Sequence, residues 1–173
     1  LGPDHGVPYT PAIHPTPFQL ERQMRAYIYD GGADEAAAVA SVVEALHART
    51  RRNLLVLFTA HERLRRARQR LIERLPGDAV MIAQEWDGSA SQVSDRFRVE
   101  RGAILLGVQS LWEGVDFPGG ALEVLVVAKL PFSVPDEPWV EARGERLVEQ
   151  GRDPFRDDAV PEAVLRFRQG VGR

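Results

Sequence analysis

The 173-residue sequence contains no cysteine, which excludes disulfide bonds and thiolate metal sites within it. Its four histidines show neither an i,i+4 pair nor an HExxH pattern, so we expect no metal site. No run approaches the roughly 18 consecutive apolar residues of a membrane-spanning helix, and we expect no membrane partner. The chain also lacks the GxxxxGKS/T loop that cradles nucleotide phosphates, and it lacks an acidic box for magnesium. We therefore expect that the chain cannot hydrolyse ATP by itself.

The composition is that of one globular domain, because 44% of the residues are hydrophobic and 27% are charged. The formal net charge is −3, so the chain does not have the overall basic character of a self-sufficient nucleic-acid binder. Of its 22 basic residues only Lys129 is a lysine. The chain begins with Leu1 and shows no signal-peptide pattern, so we expect a segment of a longer, cytoplasmic protein.

Residues 1–32 are expected to form a proline-rich linker or strap and an edge segment. Five of the twelve prolines lie within residues 1–19, and proline fixes φ and removes a hydrogen-bond donor. Residues 25–29 form a short β-type run that is closed by a turn signal at 30–32. The globular domain is expected to span residues 33–173.

From residue 33 onward, helix and strand patterns alternate. Apolar residues at spacings of three and four predict helices, whereas short apolar runs bounded by turn residues predict strands. Helices are expected at 33–51, 61–75, 90–97, 138–150 and 162–169, with a loop at 151–159. Strands are expected at 53–58, 79–83, 102–107 and 122–128, the first and last of them buried on both faces. The alternation predicts an α/β fold with a mostly parallel sheet between two layers of helices.

Ligand sites in open α/β sheets lie at the carboxyl ends of the strands, which fall here near residues 58, 107 and 129. The second of these ends opens a loop, residues 108–120, that contains Ser110, Glu113, Asp116 and three glycines. Glycine permits the close approach of a ligand, and a carboxylate can accept bonds from a ribose or hold an arginine. An ordinary connection, in which glycines turn the chain and carboxylates cap a helix, is the alternative.

The last five residues, Gln169-Gly170-Val171-Gly172-Arg173, follow a predicted helix. An arginine guanidinium is a planar charged fork that suits phosphate oxygens, and it can neutralise charge as a γ-phosphate is transferred. Because this chain has no phosphate-cradling loop, Arg173 would have to face a nucleotide held by another domain. A helix that ends in a capping glycine and a solvated basic end is the alternative.

Three stretches, in this order, resemble helicase motifs of the DinG branch of the XPD-like, superfamily 2 DNA helicases. Leu-Leu-Val-Leu-Phe-Thr at 54–59 is similar to motif IV, and Ser-Leu-Trp-Glu-Gly-Val-Asp-Phe-Pro-Gly at 110–119 is similar to motif V. Residues 169–173 are similar to the start of motif VI, which in the family runs Gln-Gly-x-Gly-Arg-Leu-Ile-Arg. The resemblance covers roughly residues 50–173. It implies the second RecA-like motor domain of a helicase, a three-layer α/β domain that is truncated here within motif VI.

The resemblance implies that ATP binds in the cleft between two RecA-like domains and that single-stranded DNA lies across both. The first motor domain of the same chain would be the partner that holds most of the ATP and its Mg²⁺. An iron–sulfur cluster, found in many relatives, would also belong to that first domain. The implied catalytic residues are Arg173 and Gln169, the implied ATP-binding residues are Glu113, Gly114, Asp116 and Gly172, and the implied DNA-binding residues are Thr59 and Ser110.

Two further features have both a nucleic-acid and a structural interpretation. The six arginines of the predicted helix 61–75 form either a DNA-facing patch or a solvated face, since they point in several directions. Trp112 either stacks on a base or anchors its loop.

We expect this chain to be part of an ATP-dependent DNA helicase that acts in DNA repair. The alternative is a non-catalytic RecA-like module that binds single-stranded DNA or a protein partner.

Overall fold

The computed structural model describes residues 19–108, 110–111, 115–134 and 136–171, so most of the proline-rich stretch lies outside the described residues. The chain divides into two compact units, Leu1–Asp30 and Gly31–Arg173. The described part of the first unit is a short helix, α1 (Leu20–Gln23), and an exposed segment. The strand predicted at 25–29 does not form, so that prediction is wrong. Residues of β type favour extended backbone, but a strand also needs a hydrogen-bonded neighbour, and no described strand pairs with this segment.

The second unit alternates helices and strands, as the sequence predicts. Its helices are α2 (Glu35–Thr50), α3 (His61–Arg74), α4 (Ala90–Val99), α5 (Pro138–Glu149) and α6 (Val160–Val171). Its strands are β1 (Leu54–Leu57), β2 (Met81–Ala83), β3 (Ile104–Gly107) and β4 (Val124–Val127). A 3-10 turn, Gly119–Ala121, precedes β4, and a π-helical turn, Phe155–Ala159, precedes α6. Within the described ranges, no helix is both long enough and apolar enough to cross a membrane.

Local side-chain contacts explain where two of these helices begin. At the start of α2, the Asp34 side chain accepts a hydrogen bond from the Ala37 backbone N–H at 3.0 Å. At the start of α4, Ser89 and Gln92 form a capping box in which each side chain bonds the backbone N–H of the other. These bonds satisfy N–H groups that have no partner within the helix.

The four strands form one parallel sheet in the order β2-β3-β1-β4. Leu54 of β1 is in register with Ile104 of β3 on one side and with Val124 of β4 on the other. The predicted α/β fold is therefore confirmed. Because all the strands run in the same direction, the loops that follow them leave the sheet at one edge, which we call the carboxyl edge.

Helices cover both faces of the sheet. On one face, Leu54 and Val56 of β1 pack in a buried cluster with Val43 of α2 and Leu64 of α3. On the other face, the alternate residues of β1 pack in a second cluster with side chains of α4 and with Phe167 of α6. The alternation of side chains along a strand sends neighbouring residues to opposite layers, which gives the three-layer architecture.

The strand β4 is only partly buried, in contrast to β1. All four residues of β1 are buried, whereas all four residues of β4 have intermediate exposure. The prediction that both strands would be buried on both faces is therefore wrong for β4. The apolar composition of the two strands is similar, but β1 lies between two neighbours and β4 lies at the edge of the sheet with one.

The prediction of a loop at 151–159 is also wrong for the second half of that range. Residues Phe155–Ala159 form a π-helical turn that leads directly into α6, with Val160 N–H bonded to Phe155 C=O. This wider turn ends two residues before Pro161. Proline in a helix lacks the N–H and crowds the preceding turn, so a π-helical turn at this place lets the helix continue through it.

Candidate functional site

The candidate site lies at the carboxyl edge, in the loops that follow β1, β2 and β3. Thr59, predicted to contact DNA, is half-buried and follows β1 by two residues. Ser110, predicted to have the same role, is exposed and follows β3 by three residues. The backbone of Phe58 donates a hydrogen bond to the Gly107 carbonyl at 2.9 Å, so the two strands remain paired up to the point where these loops begin.

Gln84 joins the loop after β2 to the loop after β3. Its side-chain Nε2 donates to Ser110 Oγ at 2.7 Å, and its Oε1 accepts from the Val108 backbone N–H at 3.1 Å. Its own backbone N–H bonds the Leu106 carbonyl at 3.0 Å. The structure therefore fixes Ser110 through a residue that the sequence analysis did not single out. The available signal was an amide residue directly after a short strand, at the edge where ligand sites occur.

Glu85 joins the same turn to the start of α3. One of its carboxylate oxygens lies 2.7 Å from His61 Nδ1, and the other lies 3.4 Å from Arg65 Nη2. Its backbone has φ of 80°, a left-handed conformation that is uncommon for a residue with a side chain. His61 comes two residues after Thr59, and Glu85 directly follows Gln84, which bonds Ser110. The turn after β2 therefore links the loop that carries Thr59 to the loop that carries Ser110.

Asp87 closes this turn and fixes it to α4. Its Oδ2 accepts from the Ala83 backbone N–H at 2.8 Å, and its Oδ1 lies 3.3 Å from Arg96 Nη1. The backbone N–H groups of Trp86 and Asp87 both bond the Ala83 carbonyl. Residues 84–87, which we call the β2 turn, are thus anchored to α3, to α4 and to the loop after β3.

Asp116, predicted to bind ATP, lies in a well-anchored part of the motif V loop. Its backbone carbonyl accepts from Arg98 Nε at 3.2 Å and from Arg98 Nη2 at 2.9 Å. Phe117 beside it is buried and makes an edge-on contact with Phe97, with ring centroids 5.3 Å apart. The Asp116 residue itself is exposed, so this backbone anchor holds it at the surface. The predicted ATP-binding residues Glu113 and Gly114 lie outside the described residues.

The motif VI stretch is described only in part. Gln169, a predicted catalytic residue, is exposed in the last turn of α6, next to the buried Gly170. Phe167, two residues earlier, packs against the core on the α4 face. Among the described residues no hydrogen bond joins Gln169 to Thr59 or Ser110. The predicted residues Gly172 and Arg173 lie outside the described part of the chain.

The arginines of α3 contact other side chains of this chain. Arg66 lies 2.9 Å from Glu62, Arg70 lies 3.7 Å from Asp34, and Arg74 lies 3.5 Å from Glu44. The other three contact Glu35 (Arg63), Glu85 (Arg65) and the ring of Trp86 (Arg68). This arrangement favours the structural interpretation of the helix over a free DNA-binding patch. Trp112 lies outside the described residues.

The described residues contain no group of three or more histidine, aspartate or glutamate side chains placed to hold a metal ion. A buried histidine, His47, lies in α2 near the opposite, amino edge of the sheet. Burial is the main reason that its pKa lies below the ordinary value of 6.5; the nearby Arg51 lowers it further, and Asp78 raises it. Neither ring nitrogen has a hydrogen-bond partner among the described residues. This site lies apart from the predicted functional residues.

A family model described as a helicase C-terminal domain matches residues 43–173. A Bacillus subtilis protein named 3′-5′ exonuclease DinG is 34% identical over 183 aligned positions, which cover 100% of this chain and 20% of that protein. An ATP-dependent helicase DinG of Mycobacterium tuberculosis is 32% identical, over 83% of this chain and 20% of its own length. An ATP-dependent DNA helicase YoaA of Haemophilus influenzae is 44% identical, over 53% of this chain and 14% of its own length.

A solved structure shows the same fold. The structure of S. tokodaii Xpd4 superposes with a TM-score of 0.55 and 18% identity, and the match covers 80% of this chain and 27% of that one. Both this structure and the sequence relatives are much longer than the chain described here. The matched relatives carry the names expected from the resemblance of motifs IV, V and VI.

Proposed function

The chain belongs to the helicase C-terminal domain family, and we propose that it is the second RecA-like motor domain of an ATP-dependent DNA helicase similar to DinG and YoaA. In this proposal, the whole protein couples ATP hydrolysis to translocation on single-stranded DNA and to duplex unwinding, in DNA repair and in the cytoplasm. The family match includes every residue proposed for the site.

The observation that best supports the proposal is the hydrogen-bonded carboxyl edge. Gln84 and Glu85 tie the loops that carry Ser110 and Thr59 into one unit. A hydroxyl group is a suitable donor to a phosphate oxygen, and contacts to phosphates position a protein on a strand without reading its sequence. A motor that moves along DNA of any sequence needs contacts of this kind.

The nucleotide is proposed to be shared between two domains. The chain has no phosphate-cradling loop, and its described residues form no metal-binding group, so the described residues do not fit a resident Mg²⁺. In our proposal the first motor domain of the same protein holds ATP and Mg²⁺. An iron–sulfur cluster, where the whole protein has one, would also lie in that domain, because this chain has no cysteine.

This chain is proposed to contribute Gln169, Gly172 and Arg173 from motif VI and Glu113, Gly114 and Asp116 from motif V. When the cleft between the domains closes, the Arg173 guanidinium meets the γ-phosphate and stabilises the negative charge of the transition state. Motif V begins with Ser110, so closure of the cleft also shifts this DNA contact. Hydrolysis removes the γ-phosphate contact and reopens the cleft.

A non-catalytic RecA-like module that binds single-stranded DNA or a protein partner is the competing function. A module that binds single-stranded DNA would also use Thr59 and Ser110, but only a motor needs Gln169 and Arg173 at a nucleotide. The competing function therefore predicts that changes in motif VI leave every activity of the protein intact.

The decisive experiment measures DNA-stimulated ATP hydrolysis by the full-length protein that contains this chain. Arg173→Ala is expected to lower kcat by about 1000-fold or more, because an arginine that acts on the transferred phosphate contributes on that order. Arg168→Ala is the matched control, since Arg168 is an exposed arginine five positions earlier and is outside the proposed site. The isolated chain 1–173 is expected to show no hydrolysis.

Two results would reject this proposal. If the full-length protein hydrolyses no ATP in the presence of single-stranded DNA, the motor function fails. If Arg173→Ala hydrolyses ATP as fast as Arg168→Ala, the role of motif VI fails and the binding module becomes the better description.

A further inference from the structure

Trp86 is a large aromatic residue that the structure holds at the surface of the carboxyl edge. It lies in the β2 turn and is 44% exposed. Two residues before it, Gln84 donates a hydrogen bond to Ser110 Oγ. Trp86 therefore follows, by two residues, a side chain that bonds a proposed DNA-phosphate contact, and it is not a member of either buried cluster.

The indole is supported from one side. The Arg68 guanidinium carbon lies 4.7 Å from its ring centroid, which is within the range of a cation–π contact. Among the described residues Arg68 has no ion-pair partner, and its buried Nε has no hydrogen-bond acceptor. The contact with Trp86 is thus the interaction that orients Arg68, and Arg68 in turn restricts the ring. The exposed part of the ring is available to a planar ligand.

The backbone that carries Trp86 is held in an uncommon conformation. Glu85 has φ of 80°, and its carboxylate contacts His61 and Arg65 of α3. Asp87 on the other side of Trp86 bonds the Ala83 N–H and pairs with Arg96 of α4. A left-handed conformation in a residue other than glycine costs free energy and persists only where the surroundings enforce it. Both neighbours of Trp86 are therefore fixed to helices, which fixes the position of the indole.

We propose that Trp86 is a preformed stacking platform for one base of the single-stranded DNA that the carboxyl edge binds. The proposal rests on the proposed function and adds a contact to a base, whereas Thr59 and Ser110 contact phosphates. Stacking on an aromatic ring tolerates any base, because every base has a π face. Such a contact holds the strand without making the motor depend on sequence. A base paired in a duplex is already stacked on its neighbours, so the contact also favours single strands.

The test compares strands with and without bases. Equilibrium binding of the full-length protein is measured with a fluorescent single strand, and again with a strand of the same length that has abasic sites throughout. Trp86→Ala is expected to weaken binding to the normal strand about 10-fold, in line with the usual effect of losing one stacked base. Binding of the abasic strand is expected to be unchanged by Trp86→Ala. Trp86→Phe keeps an aromatic ring and is expected to retain most of the affinity.

Trp139→Ala is the matched control. Trp139 is 43% exposed and has Arg143 over its ring at 5.6 Å, so it has the same chemistry and similar exposure. It lies in α5 and outside the β2 turn, and its replacement is expected to leave the affinity for both strands unchanged.

The outcomes separate this inference from the proposed function. Equal affinity of Trp86→Ala and wild type for the normal strand would overturn the inference alone. Equal weakening on the normal and abasic strands, or no recovery with Trp86→Phe, would also overturn it, because such a defect does not involve a base. If the wild-type protein binds no single-stranded DNA, the proposed function fails and the inference fails with it.

Discussion

At the scale of single residues, His47 shows the effect of burying a titratable group that has no hydrogen-bond partner among the described residues. It lines a cavity of about 160 Å³ together with Arg51, Asp78 and Arg101. Burial and Arg51 disfavour the protonated ring, and Asp78 only partly offsets them, so its pKa is lowered in the folded state. The unfolded state then binds a proton at a higher pH than the folded state does. The contribution of neutral His47 to the stability of the fold is therefore fully present above about pH 6.5, the ordinary pKa of histidine. This contribution is lost as the pH falls toward the pKa of His47 in the folded state.

Replacing His47 by leucine is expected to remove this pH dependence. Leucine has a similar volume and cannot be protonated, and no described hydrogen bond is lost with the ring. The free energy of unfolding is measured with urea at about pH 7.5 and at about pH 5.5. Its decrease from the higher to the lower pH should be smaller for His47→Leu than for wild type. A wild-type protein that is equally stable at both pH values would contradict the proposed effect of burial.

At the scale of secondary-structure elements, the junction between β3 and the motif V loop depends on a glycine. A Cβ atom at Gly107 would overlap the side chain of Leu111, which is fully buried one turn later in the chain. The glycine is needed here for close approach rather than for an unusual φ. The overlap also shows how the loop that carries Ser110 is pressed against the end of the sheet.

Gly107→Ala is expected to destabilise the domain by about 1–3 kcal/mol, the usual cost of overpacking a core. It should also lower DNA-stimulated ATP hydrolysis, because in the proposed mechanism the loop that carries Ser110 shifts when the cleft closes. Gly77→Ala is the control, since a Cβ at Gly77 meets no atom within 4 Å. In urea unfolding, Gly107→Ala combined with Leu111→Ala should lose less stability than the sum of the two single losses, since only the Cβ at position 111, 3.0 Å away, still crowds the new Cβ. Additive losses would show that Leu111 is not the cause.

At the scale of the whole molecule, the chain carries 22 basic and 25 acidic residues. The arrangement of these charges decides which basic side chains are free to bind DNA phosphates. The arginines of α3 would make a strong DNA patch if they were free. Instead, Arg66 pairs with Glu62 and Arg70 pairs with Asp34 on the surface of the domain. Exposed pairs of this kind stabilise a protein little, but they neutralise the charge that a phosphate would otherwise meet.

The double replacement Arg66→Gln and Arg70→Gln is therefore expected to leave DNA binding by the full-length protein nearly unchanged. The measurement is the slope of the logarithm of the binding constant against the logarithm of the salt concentration. Each arginine that contacts a phosphate contributes about one unit to this slope. We expect the wild-type slope for the double variant. A slope reduced by about two would show that both arginines contact DNA.

The sequence by itself determined the class of fold and the family. Apolar runs such as 54–58 and helical spacing such as that in α3 are local patterns, and the structure has strands and helices there. The ordered motifs identified the family, and the helicase C-terminal domain match confirms it. The predicted roles of Thr59, Ser110, Asp116 and Gln169 stay predictions. Local periodicity failed at 25–29 and at 155–159, where strand pairing and helix continuation depend on residues outside the local pattern.

Only the tertiary structure decided which side chains meet at the carboxyl edge. Gln84 reaches Ser110 across 26 positions of the chain, and Glu85 reaches His61 from the turn after another strand. The order β2-β3-β1-β4 brings these loops together and leaves β4 at an edge, half-exposed. No periodic pattern contains this order, because the pattern of apolar residues records which face of an element is buried and not which neighbour covers it. For that reason, the contacts that position Trp86 could not be predicted from the sequence pattern and follow only from the tertiary structure.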